Sequence, residues 1–416
     1  MGFVLVTDAS ERTALAVIRS LGRRGIKVLA ADTTRFNAGF LSKYCTQKVI
    51  YPSPTEDKEK FVKSLLRLVK NTKLDLLIPI TDFTMIPILE KKEEFEQYVK
   101  VAAPPYEVAM RAYDKFQTIS IAKKCGVPHP KTFLIDDIKT LREIADELNY
   151  PVVIKPRMKV FWSNGKAVIT KVTSVNYAYN KEDLLSKYES LMNKLKGIVP
   201  PDFFLVQEYV QGAGYGVEML MDNTSSLVAL FMHKRLHEYP VTGGASTLRA
   251  SVWNKRLAEH SIKLLKEMRW QGVAMVEFKL NEKNGNVNLM EINGRFWGSL
   301  PLAISAGVDF PYLLYKCLIE KENFKLPSYK LGVKQRWLLP GDILWLYSSI
   351  INTHRSFSPI KDFITSFSVA DDIISTNDLA PTIGALWTSL SLFIDVLKGK
   401  RSITGELLKT PREHEK

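Results

Sequence analysis

Apolar residues recur early in the chain as short runs separated by amphipathic stretches. Phe3-Val-Leu-Val-Thr7 predicts a buried strand. Leu15, Ile18 and Leu21 then fall on one face of a helix that Asp8 or Ser10 would cap, with Gly22 and Gly25 at its end. Ile26 to Ala31 predicts a second strand, and the amphipathic stretch Phe61 to Val69 precedes another, Leu74 to Ile80. Strands alternating with helices predict a parallel sheet, which binds ligands at its carboxyl edge. No G-x-G-x-x-G follows the first strand, so a dinucleotide cofactor is not supported.

From Ala112 the pattern changes. AYDKFQTISIAKKCGVPHPKTFLI predicts a helix ending near Gly126, a proline-rich turn and a strand, and YPVVIKPRM a strand running into Lys155. Residues 157–180 read as a hairpin or lid turned at Asn164-Gly165. A helix follows from Lys181 to Lys196, and FFLVQEYVQGAGYGVEMLMD reads strand, glycine-rich turn, strand. HKRLHEYPVTGGASTLRAS reads as a polar loop in which Gly243-Gly244 would let backbone N–H groups approach an anion, flanked by Arg235 and Arg249. Residues 255–269 form an amphipathic helix, and the strands AMVEFKLN and NVNLMEIN follow. Beyond Pro327 the tail is rich in Trp, Leu and Ile with basic ends. Such helices lie at a membrane interface or pack on the core or a second subunit; packing is favoured, because Pro340 and Gly341 break the pattern.

A chain of 416 residues exceeds one ordinary core and predicts two or three subdomains. Its 46% hydrophobic and 25% charged residues fit a soluble globular protein. Three scattered cysteines argue against a disulfide framework and for a reducing, cytoplasmic setting. The N-terminus does not read as a signal peptide, and no run of 18 apolar residues predicts a membrane-spanning helix. The net charge of +14 suits nucleic acid, an anionic membrane face or a polyphosphate ligand. Without zinc-finger spacing or a basic tract studded with aromatics, nucleic acid is not expected.

The sharpest chemical signal is LMEINGRFWGSLP, residues 289–301. Two hairpin closures around Lys283-Asn284-Gly285 predict opposite things. A two-residue Asn-Gly loop pairs Glu277 with Ile292 and separates the two carboxylates. A three-residue loop with a bulge at Gly285 pairs Glu277 with Glu291, puts Asn293 on the same face, and leaves Val276, Phe278, Leu280, Met290 and Ile292 to fill the other. Directly opposed carboxylates repel, so a cation is needed to make that arrangement favourable, and Glu, Glu and Asn are hard oxygen ligands suited to Mg²⁺. The alternative is the polar outer face of an antiparallel sheet.

The ordered set AYDK, VVIKP, VQEYVQG, MVEF and MEINGR resembles the ATP-grasp enzymes, and most closely the ligases similar to the large subunit of carbamoyl-phosphate synthase. The resemblance runs from the first strand to about Glu320. It implies a mixed α/β and α+β fold: an N-terminal Rossmann-like parallel-sheet domain (1–111), an ATP-grasp small or lid subdomain (112–205), an ATP-grasp C-terminal subdomain with the metal site (206–327), and a mainly helical C-terminal extension (328–416). The implied activity is ATP-dependent phosphorylation of a carboxylate, followed by attack of an amine on the acyl phosphate. Lys115 and Lys155 match the phosphate-contacting lysines, and Gln207, Glu208 and Val210 the hinge that reads adenine. The family's ribose-binding acid falls on Gly214, which leaves Glu218 as the nearest candidate. Glu277, Glu291 and Asn293 match the magnesium ligands, implying two Mg²⁺ ions for which Mn²⁺ substitutes. Arg295 matches a catalytic arginine, which Gly294 precedes where the family usually has proline. Arg235 and Arg249 are further candidates for holding phosphate or acceptor carboxylate. Phe296 and Trp297 read as packing. Small-molecule carboxylate and amine substrates and a homo-oligomer are expected. The alternatives are a catalytically silent ATP-binding regulatory module and a peripheral membrane scaffold acting through the tail.

Overall fold

The structure is a computed structural model that describes residues 2–170, 172–240, 243–322, 325–352 and 358–398. Among these described residues the chain forms four sheets. The first is parallel and five-stranded, from Phe3–Val6, Lys27–Asp32, Gln47–Ile50, Leu76–Ile78 and Lys100–Val101, in the spatial order third, second, first, fourth, fifth. Strand alternation explains its two covers. Leu5, Leu29 and Leu77 meet Phe61, Leu65 and Ile88 on one side, while Val4, Val28 and Ile78 meet Val17, Ile18 and Leu21 on the other. The helix Arg12–Arg23 is capped by neither Asp8 nor Ser10. Glu11 occupies the cap position without a side-chain bond. Asp8, at φ 56°, instead turns its carboxylate onto Thr84 (2.6 Å), Thr7 (2.8 Å) and the Thr81 amide (3.0 Å). These bonds lock the corner after the first strand to the corner after the fourth, neighbours at the carboxyl edge.

The second sheet is antiparallel and four-stranded, in the order Tyr177–Ala178, Val152–Pro156, Phe204–Glu208, Thr132–Ile135. Its apolar side packs under the helices Ile138–Ile144 and Lys181–Lys194. The expected hairpin is present as Val160–Ser163 and Lys166–Ile169. Asn164 and Gly165 turn it at φ 52° and 77°, the double positive φ that an Asn-Gly loop tolerates. The hairpin is docked on the first domain: Trp162 Nε1 donates to the Pro54 carbonyl at 2.8 Å, and Ala167 N to the Thr55 carbonyl at 2.8 Å.

The third sheet has seven strands, in the order Val287–Asn293, Gly272–Leu280, Ala213–Met221, Leu227–Tyr239, Ala245–Ser251, Lys334–Arg336 and Ala370–Asp371. One face packs Met219, Leu230 and Val276 against the helix Lys255–Glu267. The opposite face is apolar at one end, where Leu220, Phe231 and Met275 meet Trp297, Leu300 and Phe310, and polar at the other. The stretch expected as a polar loop is therefore mostly strand. Its polar side chains are buried in the sheet because each finds a partner: Glu218 of the neighbouring strand holds His233, while Asp342 and Asp372 of the tail hold His237 and Arg249. Only 240–244 turn between the strands, and Val241 and Thr242 lie outside the described residues.

The tail supplies the last two strands of this sheet and ties it to the first domain. Asp372 pairs with Arg12 and Arg249, and Asp378 with Arg19. No single helix among the described residues is long and apolar enough to cross a membrane. The preferred packing of the tail holds for one edge only: in Pro381–Leu397 the small residues Gly384 and Ala385 are buried, while Ile383, Leu386 and Trp387 are exposed.

Candidate functional site

The two carboxylates meet through a closure the sequence did not suggest. A four-residue loop separates Asn281 from Asn286, whose backbones bond at 2.9 Å, and the strands run in register as far as Phe278 opposite Leu289. A one-residue bulge at Met290 then shifts the register, so Glu277 faces Glu291, Val276 faces Ile292 and Met275 faces Asn293. The expected same-face set forms, but the bulge lies at Met290 and not Gly285. Leu289 therefore takes the buried place expected of Met290.

Polar contacts converge on this set. Asn293 Nδ2 donates to Glu277 Oε1 at 2.8 Å and to Glu291 Oε1 at 3.2 Å. Lys159, at the root of the docked hairpin, donates from Nζ to Glu291 Oε1 at 2.8 Å and to Asn293 Oδ1 at 3.3 Å. Arg235 pairs with Glu277 Oε2. Burial alone would raise the Glu291 carboxyl, but Lys159 and Lys115 hold it well below the usual carboxylate range. Lys115 begins the helix Lys115–Lys124 and lines one cleft with Asp82, Tyr113, Lys159, Glu291 and Asn293. Lys155 lies on the strand Val152–Pro156 and donates to Gln207 Oε1 at 2.5 Å, while Gln207 Nε2 reaches Thr132 Oγ1 at 2.9 Å. Burial pushes both ammonium groups down to about 8, and for Lys155 repulsion from Lys115 adds to it. Three lysines facing two carboxylates suit a polyanion that arrives with its own cation.

The donor set fits a small hard cation. Two opposed carboxylates leave most of an octahedron for phosphate oxygens and water, and rotating the Asn293 amide by half a turn presents oxygen in place of nitrogen. No group of three or more His, Cys, Asp or Glu residues able to hold a metal occurs among the described residues.

The other predicted residues divide. Arg295 is gripped by Asp82 of the first domain at 2.8 and 3.1 Å, which ties the end of the strand Val287–Asn293 to the carboxyl edge of the parallel sheet. Gly294 is needed in its place, because a Cβ there would run into the Trp270 ring. Phe296 and Trp297 are buried, as expected of packing residues. Glu208 accepts from the Asn149 amide at 3.2 Å and from its side chain at 2.9 Å, and the Val210 carbonyl accepts from Lys279 at 2.9 Å. Glu218 is not available to a ribose: it is 0% exposed and bonded to His233 at 2.5 Å and Ser299 at 3.0 Å. Arg249 is also 0% exposed and pairs with Asp372, so it is a support and not an anion-holding group. Arg235 is held between Glu277 and Glu238. The Gly244 carbonyl accepts from Arg235 at 3.3 Å, so this part of the glycine turn offers the arginine an acceptor. Lys159 and Asp82 went unnoticed in the sequence. The signal for Lys159 was its place four residues beyond Lys155, at the root of a predicted lid; Asp82 carries none, because its partner is 213 residues away.

Known proteins resemble this chain over most of its length. The family model described as ATP-grasp in the biosynthetic pathway with Ter operon matches residues 201–339. The N-terminal section of the carbamoyl phosphate synthase large chain from Methanopyrus kandleri is 22% identical over 324 residues, covering 73% of this chain and 53% of that protein. The large chain from Archaeoglobus fulgidus is 25% identical over 253 residues, covering 58% of this chain and 21% of that one. The chain thus spans about half of the first relative and about a fifth of the second. Among solved structures, the biotin carboxylase domain of Hydrogenobacter thermophilus 2-oxoglutarate carboxylase, crystallised with MgADP, ADP and bicarbonate, superposes with a TM-score of 0.61 at 18% identity, over 80% of this chain and 73% of that one. An L-amino acid ligase from Bacillus licheniformis gives 0.56 at 14% identity, over 77% and 74% of the two chains.

Proposed function

We propose that this chain, which has the ATP-grasp fold, is an ATP-dependent ligase joining a carboxylate to an amine. The observation that carries this reading is the opposed pair Glu277 and Glu291, with Asn293 beside them, facing Lys115, Lys155 and Lys159. ATP enters between the four-stranded and seven-stranded sheets. Gln207, Glu208 and the Val210 backbone are at the adenine end, and Lys115 and Lys155 at the phosphates. Glu277, Glu291 and Asn293 would hold Mg²⁺, two ions in the full complex, for which Mn²⁺ would substitute. Bound there, the metal would supply neutralisation of triphosphate charge.

The substrate carboxylate attacks the γ-phosphorus, forming the new C(O)–O–P bond as the bond to ADP breaks. Arg295, oriented by Asp82, and Arg235, oriented by Glu238, stabilise the charge that spreads over the transferring phosphoryl oxygens. The docked hairpin keeps water from the acyl phosphate. An amine then attacks the acyl carbon and phosphate leaves, so the products are an amide, ADP and phosphate.

The test is ADP release from ATP and Mg²⁺ across a panel of amino acids, dipeptides and other carboxylates, with and without ammonia or an amine. Release that needs both a carboxylate and an amine supports the ligase. ATP binding by calorimetry with no release across the whole panel favours the silent regulatory module instead.

A further inference from the structure

The helix Pro381–Leu397 is turned with its small residues inward. Gly384 sits so close to Ala38 that a Cβ would strike the Ala38 backbone, and Ala385 is buried beside it. Its large apolar residues face water: Ile383 is 58% exposed, Trp387 56% and Phe393 57%, with Leu386, Leu390 and Ile394 also open. At 100° per residue these six positions share one arc of about 120°, the width of a complete apolar face. A soluble surface helix carries the opposite arrangement.

The surroundings say what covers this face. Phe36, itself exposed, meets Trp387 edge-on at 6.0 Å, which extends the patch onto the first domain and adds a second aromatic. Arg35 and Lys43 are exposed around it. Lys398 follows the helix, whose only acid is Asp395. A second copy of this chain would bring the same basic fringe to the interface and set like charges together. An anionic bilayer neutralises the fringe while the apolar arc enters at headgroup depth, where Trp is favoured.

We propose that this face docks the protein on an anionic membrane surface, with the helix lying in the interface plane. It needs no nucleotide chemistry and stands apart from the ligase reading.

The test is flotation of the full chain with vesicles of phosphatidylcholine alone and of phosphatidylcholine mixed with phosphatidylglycerol. The probe variant carries Leu386→Glu and Leu390→Glu, two exposed positions away from the Gly384–Ala38 contact, and its thermal unfolding midpoint should match the parent's. The expected result is binding to the anionic vesicles that weakens with salt and falls on the order of tenfold or more in the variant. Absence of binding to anionic vesicles at low salt overturns the proposal, as does undiminished binding by the double variant. A concentration-dependent dimer in sedimentation, lost in the variant, assigns the face to a second copy and overturns it as well.

Discussion

Lys159 Nζ lies 2.8 Å from Glu291 Oε1 and 3.3 Å from Asn293 Oδ1, so its ammonium occupies the ground a divalent cation would take. A metal at these oxygens would compete with Lys159 for them, and a phosphate arriving with the metal would give the lysine a new partner. Lys159→Met should therefore raise the affinity of the nucleotide-free protein for Mn²⁺ by about tenfold, the lower end of what one charge contributes when it is partly exposed to water. Mn²⁺ titration followed by electron paramagnetic resonance reads this directly. Identical titrations for the two proteins sink the idea, while loss of Mn²⁺ binding in Glu291→Gln but not in Lys159→Met leaves the metal reading intact.

Glu291→Gln removes half of the opposed acid pair. The amide keeps the size and one acceptor oxygen but loses the charge that a metal and Lys159 both need. Turnover with an identified substrate should fall by about a hundredfold or more. The thermal midpoint should change little, because the lost Lys159 pair is offset by relief of repulsion from Glu277. Near-normal turnover would show that the metal lies elsewhere.

Much of this site was legible from spacing. Residues 277, 291 and 293 share a face because strand side chains alternate, and a strand pair joined by a short loop narrows the registers to a few. The bulge at Met290 was not legible, since no residue there demands it. The parallel sheet was readable because its strands are buried on both sides and so appear as unbroken apolar runs. The strands Leu227–Tyr239 and Ala245–Ser251 were hidden for the opposite reason. His233, His237 and Arg249 are polar but buried, and the partners that satisfy two of them, Asp342 and Asp372, lie more than a hundred residues away. Glu218 is taken up by His233 and Ser299 in the same way, partners 15 and 81 residues away that no local pattern marks.

Lys115 and Lys155 carry a pH prediction. Burial lowers both to about 8, from an ordinary value of 10.5. Their positive charge, and with it their pull on phosphate, is half present near pH 8 and falls away as pH rises through that value. ATP affinity measured without metal by calorimetry should thus weaken as pH rises from 7 to 9, with protons taken up on binding near pH 8. The folding linkage runs the other way. Between about 8 and 10.5 the unfolded lysines hold protons that the folded ones have released, so these two groups make the unliganded protein gain stability with rising pH in that window. Lys155→Met should flatten the binding profile; a flat profile in the parent protein would show that neither ammonium reads phosphate.

Asp372 joins three parts of the molecule, since its carboxylate pairs with Arg12 of the first helix and Arg249 of the seven-stranded sheet, and its own segment belongs to the tail. Asp372 and Arg249 are both buried, and Arg249 keeps two nitrogens, Nε and Nη1, without a hydrogen-bond partner among the described residues. Desolvation on this scale makes the network costly to build, but breaking one side of it is worse, because the guanidinium stays buried with no counter-charge. Asp372→Asn should lower stability by roughly 3–5 kcal/mol. Replacing the pair together, Arg249→Met with Asp372→Leu, removes both buried charges and should recover most of that loss. Thermal unfolding of the three proteins decides between the two pictures. If the single and double variants melt alike, Asp372 acts by anchoring the tail, and its charge on Arg249 contributes little.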